Sequence, residues 1–271
     1  MNDWKLFWIL LVSCVVVVVA IWPIFFLLHG SVLEMLAVPH AILFLLFLLK
    51  ASLAFAGVVF FGLFMAERLG LGVPFLTAWL QGKQSKRLTH DVALMLFGAV
   101  VFGLAAGIFV LVSDALFSLA TGAVPGVGRM PVEIGDPATG MVRTIALSPL
   151  QGVLASLYAA LSEEILLRLF GVSLLVWISQ YIRGKGRVGK PKDAVVWGAI
   201  VSVALLSGFA HLPVVASFPA MSLLMVARFA LLGFTPAMLF GWLYWKKGLE
   251  AAVTAHFTSE FLLFVLIPLI A

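Results

Sequence analysis

The chain has 271 residues, of which 63% are apolar and only 11% charged, with a mean hydropathy of +1.19. Soluble domains carry roughly 25% charged residues because water must solvate their outer face. This composition therefore excludes a soluble enzyme and, despite a sequence pI near 9.6, a nucleic-acid-binding domain. The excess of 17 Lys and Arg over 12 Asp and Glu belongs in short cytoplasmic loops. The single cysteine, Cys14, lies within an apolar run, which rules out an intrachain disulfide and a cysteine-based metal site.

A helix needs about 20 apolar residues to cross roughly 30 Å of hydrocarbon. The hydropathy pattern predicts an all-α, polytopic transmembrane helix bundle of about seven spans, six to eight allowing for soft boundaries. The first span, about residues 6–28, is too long for the apolar core of a signal peptide and no A-x-A site follows it, so it reads as a retained helix. The second covers about residues 40–65. In the loop that follows, residues 75–80 form an amphipathic stretch expected to lie at the membrane interface beside Trp79.

The third span, about residues 92–119, carries Gly103 and Gly107, a spacing that suits close helix packing. Asp114 lies near its outer end, where interfacial solvation accounts for it. Residues 120–148 place Val132-Glu133-Ile134 and Met141-Val142-Arg143 around Asp136-Pro137-Ala138-Thr139-Gly140, the pattern of a small extracytoplasmic hairpin. His29, His40 and His90 flank spans and read as interfacial or loop residues. Residues 1–148 thus carry no recognisable chemistry, and the motif-bearing core is expected in residues 149–271.

The remaining spans cover about residues 149–181, 194–212, 222–245 and 249–270. Three basic clusters fall on one side of this arrangement: Arg68 with Lys83, Lys86 and Arg87; residues 183–192; and Lys246 with Lys247. The positive-inside rule makes that side cytoplasmic, with the N-terminus inside and Ala271 outside. Arg228 begins the sixth span on the opposite side, where its long side chain is expected to snorkel to the interface.

Ionisable residues within hydrocarbon are costly, so each calls for an explanation. The fourth span carries Ser162-Glu163-Glu164-Ile165-Leu166-Leu167-Arg168 in an otherwise apolar run. Glu164 and Arg168 stand four apart and can pair, whereas Glu163 is rotated roughly 100° away from that partner. The pair therefore reads as structural, on the outer side of the helix, and Glu163 as the free carboxylate. Burial in a low-dielectric site is the condition under which a carboxylate serves as a general base near neutral pH; equally, both acids could belong to an ion network. The fifth span ends Ser207-Gly208-Phe209-Ala210-His211, and the seventh places His256 and Glu260 four apart on one face. Each histidine alone would more often be a packed residue than a catalyst. One carboxylate and two histidines on three spans form a convergent set that a structural bundle seldom needs.

These residues resemble the intramembrane glutamic proteases that include the CAAX prenyl endopeptidases and the bacteriocin-processing or self-immunity proteins. That family's pattern is E-E-x-x-x-R, then F-x-x-x-H, then H-x-x-x-N on three helices. Glu163, Glu164 and Arg168 match the first motif, His211 the second and His256 the third, and Phe240 to Leu249 is similar to the family's lead-in to its last motif. Two positions depart: Ser207 stands where the second motif has Phe, and Glu260 where the third has Asn. The resemblance spans about residues 149–270.

The resemblance implies hydrolysis of a membrane-associated peptide or protein, of CAAX type or a leader or sorting tail, within the bilayer of a multi-pass protein, on this reading in a prokaryotic plasma membrane. Glu163, helped by His211, would deprotonate a water, while His256 and residue 260 would stabilise the oxyanion. Glu163, His211 and His256 would line one water-accessible cavity. An ionised Glu260 cannot donate a hydrogen bond as Asn does; as a neutral acid it can. No cofactor is implied. Zinc held by Glu163, His211, His256 and Glu260 is the nearest alternative, and a non-catalytic immunity or regulatory protein of the same fold is another.

Overall fold

A computed structural model of the chain describes residues 4–35, 38–83, 85–121, 129–133, 142–182, 191–210 and 223–270. Long apolar runs give α1 (Trp4–Met35), which carries Pro23 within it, and α2 (His40–Leu69), and the two pack against each other. Gly70, at φ 68°, ends α2 in the left-handed region open to glycine. A tight turn then leads into the seven-residue α3 (Pro74–Leu80), the stretch expected at the interface. The chain continues in α4 (Lys86–Thr121).

The predicted hairpin is present: β1 (Arg129–Glu133) pairs antiparallel with β2 (Val142–Ala146), in a register that sets Val132 opposite Arg143. Ser148 then caps α5 (Pro149–Glu163). Its side chain accepts the Gln151 amide at 3.4 Å, and the Gln151 side chain accepts the Ser148 amide at 2.9 Å, a reciprocal capping box with Pro149 at the first helical position.

At Glu164 the helix widens into a π-helical stretch (Glu164–Val172) before returning to α-geometry in α6 (Ser173–Ile182). The described chain continues with α7 (Asp193–Ala210), α8 (Leu223–Lys247), α9 (Leu249–Phe261), a second π-helical stretch (Leu262–Leu266) and the short α10 (Ile267–Ile270). Six of these helical runs are long and apolar enough to cross a membrane, and the apolar helix Asp193–Phe209 is shorter. The bundle lies within the predicted range.

The motif-bearing helices pack directly on the first half of the chain. A side chain added at Gly103 would put its Cβ 2.3 Å from the Ala255 carbonyl, and one at Gly107 would meet Leu262 at 2.9 Å. The small residues of α4 therefore let its backbone run against α9, as their spacing predicts. Gly62 of α2 likewise lies under Leu169, with 3.0 Å to the nearest atom from a built Cβ. One apolar cluster joins Val59, Leu63, Ala99 and Ala106 to Ile165, Leu169, Phe240 and Ala255.

Candidate active site

Glu164, Arg168 and His256 converge where the first π-helical stretch meets α9. Burial is nearly total: Glu164 is 0%, Arg168 1% and His256 6% exposed. A charge removed from water to this degree must be paired and hydrogen-bonded. The Glu164 Oε1 atom serves both neighbours, meeting His256 Nδ1 at 2.7 Å and Arg168 NH1 at 3.1 Å. Arg168 NH2 also donates to the Ala237 carbonyl of α8 at 3.0 Å. One guanidinium thus ties the carboxylate to a third helix.

The i,i+4 pair is as the spacing predicts, but its direction is not. Glu164 and Arg168 face the interior of the bundle rather than the outer side of their helix, because His256 and Ala237 supply polar partners there that lipid does not. A π-helical turn begins at Glu164 itself, an uncommon geometry that is frequent at functional sites. The second π-helical stretch begins just past Glu260, so both helices that carry site residues depart from α-geometry beside them.

His256 is held on its faces as well as at Nδ1. The Phe240 ring of α8 stacks on the imidazole at 4.8 Å between centroids and 19° between planes, and Arg168 lies 5.8 Å from the same ring. The other imidazole nitrogen, Nε2, lies 3.9 Å from Glu260 Oε1, beyond hydrogen-bond reach. Nε2 therefore stays uncommitted to the neighbouring carboxylate. Glu163 is half-buried on the turn just before the π-helical stretch. Of the sequence-predicted residues, Glu164, Arg168 and His256 are in direct contact and Glu260 lies beside His256; His211 lies outside the described residues.

Sequence reasoning missed the part played by Phe240 and the Ala237 carbonyl. The lead-in beginning at Phe240 is the only signal that could have pointed to them, since a backbone carbonyl has no sequence signature. Among the described residues no three imidazole, thiol or carboxylate groups converge as a metal site. Cavities of about 520 and 620 Å³ open elsewhere, around the turn from Gly70 to Pro74, and neither is lined by Glu163 or His256.

A second buried charge pair corrects the reading of Asp114 and Arg228. Arg228 Nε donates to Asp114 Oδ1 at 2.9 Å, its NH2 also bonds the same oxygen, and NH2 reaches Ser118 Oγ at 3.2 Å. The two residues are only 3% and 5% exposed. Asp114 is not solvated at an interface and Arg228 does not snorkel, because each satisfies the other across α4 and α8.

The stretch holding the polar cluster matches one known family. Residues 145–262 match the family model of Rce1-like type II CAAX prenyl endopeptidases. This is the family group that the motif residues resemble, and the matched segment takes in Glu163, Glu164, Arg168, His211, His256 and Glu260. No curated protein and no solved structure matches the chain. Six membrane-length apolar helices together with a match to a membrane-protease family describe an integral, multi-pass membrane protein.

Proposed function

We propose that this chain is an intramembrane endopeptidase that cleaves a membrane-associated peptide or protein by a Glu-activated water. Glu163 takes a proton from the water, whose oxygen attacks the scissile carbonyl carbon. His211 assists at the water. The tetrahedral intermediate then expels the amine, which takes the proton back from Glu163 as the C–N bond breaks. His256 and Glu260 stabilise the oxyanion.

The observation that carries this reading is the bond between His256 Nδ1 and Glu164 Oε1 at 2.7 Å. An acceptor on Nδ1 fixes the ring orientation and leaves an imidazolium one N–H, on Nε2, to offer to developing negative charge. Arg168 balances Glu164, so that Glu164 serves as the orienting group and Glu163, one residue earlier and half-buried, is the carboxylate left for water. The match over residues 145–262 supports a peptide bond as the target and a CAAX-type tail as the substrate class; a leader or sorting tail is the other substrate the proposal admits.

The test is cleavage, by purified protein in detergent, of a prenylated CAAX peptide and of an unprenylated membrane-anchored peptide. Glu163→Gln removes the base while keeping its shape and should lower kcat by about 10²–10⁴-fold with an unchanged melting transition. Full activity in Glu163→Gln would sink the mechanism.

A further inference from the structure

At the junction of α8 and α9 the helix axis breaks at Gly248, whose φ of 96° is in the region that favours glycine. The break is clamped by the turn after α2. The Leu249 amide donates to the Gly72 carbonyl at 2.8 Å. Glu250 Oε1 accepts from the amides of both Phe75 and Leu76 at 2.9 Å each. A Cβ built at Gly248 would fall 2.3 Å from Pro74 Cδ, so the backbone at Gly248 packs directly on the Pro74 ring. Residues 175 apart in sequence thereby fix the first turn of the helix that carries His256 and Glu260.

An α-helix transmits such a constraint rigidly. Six residues separate Glu250 from His256, about 9 Å at 1.5 Å per residue. A slip of one residue at the clamp would turn His256 by about 100°, away from Glu164. We infer that Glu250, gripping the turn formed by residues 70–76, sets the rotational register of α9 and is a positioning residue for the proposed hydrolysis. This rests on the reading of His256 given above, and it assigns a role to a carboxylate outside the three motifs.

The experiment compares the parent with Glu250→Gln, Glu250→Asp and Glu250→Ala in full-length protein in micelles. Two readouts are used: cleavage of a farnesylated CAAX peptide, and the ¹⁵N signals of the histidine rings, with His256 assigned from His256→Gln. Glu250→Gln keeps an oxygen that accepts both amides and should retain kcat and the hydrogen-bonded Nδ1 signal of His256. Glu250→Ala should lower kcat on the order of 100-fold with KM little changed, as misplacement of a catalytic group does, and should shift that signal. Glu250→Asp, one methylene shorter, should fall between them, and carries the test if the Ala variant does not fold.

Unchanged kcat and unchanged His256 signal in both Glu250→Ala and Glu250→Asp would overturn the inference. So would Glu250→Gln as damaging as Glu250→Ala, which would assign the effect to charge instead of register. If the parent cleaves no peptide, the proposed function fails while the His256 signal still decides the positioning role.

Discussion

His256 and Glu164, 92 residues apart in sequence, share a 2.7 Å hydrogen bond at the buried junction of two helices. Glu164 also forms the ion pair with Arg168, so one carboxylate oxygen sets both the charge balance of the core and the orientation of the imidazole. The consequences for Arg168 and Glu164 can be separated by substitution.

Replacing Arg168 by Met leaves the Glu164 carboxylate buried with its strongest counter-charge gone. Loss of one partner of a buried pair costs about 3–5 kcal/mol, and denaturation in micelles should show it. Arg168→Lys should recover only part, because a single ammonium does not present the fork that reaches Glu164 and the Ala237 carbonyl together. Parent-like stability in the Lys variant would reject a need for that geometry.

The Asp114–Arg228 pair joins α4 to α8 with no part in the chemistry proposed above. Asp114→Leu or Arg228→Leu alone should each lower stability by about 3–5 kcal/mol, whereas the double Leu variant should come back close to the parent, since removing both charges removes the desolvation cost as well. Thermal unfolding of the three variants measures the coupling. Strict additivity would mean that the two side chains act independently.

Gly103 and Gly98 lie on the same helix and differ in surroundings. A methyl at Gly103 meets the Ala255 carbonyl, while nothing lies within 4 Å of one at Gly98. Gly103→Ala should destabilise by about 1–3 kcal/mol through overpacking and reduce cleavage by displacing α9 next to His256. Gly98→Ala should gain about 0.5–1 kcal/mol from its lower backbone entropy in the unfolded chain. A melting series in one detergent tests both, and equal effects would deny the close approach.

Glu260 stands where the resembled family has Asn. If it donates a hydrogen bond as a neutral acid, Glu260→Asn should preserve or raise peptidase activity, because an amide supplies that donor at every pH. If it is a zinc ligand, the same change should weaken metal binding, and a chelator should abolish activity of the parent. Cleavage assays on both proteins, each with and without chelator, separate the outcomes; restoration by added zinc would replace the glutamic mechanism with a metal-dependent one.

Orientation is open to labelling. A membrane-impermeant thiol reagent should reach Lys185→Cys from the cytoplasmic side only, and the native thiol of Cys14, fully buried, should stay silent. Labelling from outside would invert the arrangement.

What could be read from the sequence was what is local. Apolar runs long enough to span gave the helices, the turn residues around Asp136 gave the hairpin, and the spacing of Glu164 to Arg168 gave their pairing. Direction was not legible: an i,i+4 spacing says that two side chains meet, and only the packing of α8 and α9 decides that they meet facing inward. Asp114 and Arg228 misled for a related reason. Each lies near a span end, where solvation is the ordinary explanation, and their separation of 114 residues leaves no periodicity to reveal the bond. The contact of Glu250 with Phe75 and Leu76 is equally invisible, since it depends on main-chain amides that any residue provides.

The Asp114–Arg228 bond also bears on how the protein is made. The chain emerges in order, so the helix holding Asp114 enters the bilayer before Arg228 has been synthesised, an interval on the order of 10 s at ribosomal rates for 114 residues. Insertion of α4 and completion of the bundle are therefore distinct events in time, with the final docking of α8 joining a charge already in the membrane to one that arrives later. A ribosome stalled between these two positions would hold an inserted but unfinished bundle, one to which membrane chaperones and quality-control proteases could have access.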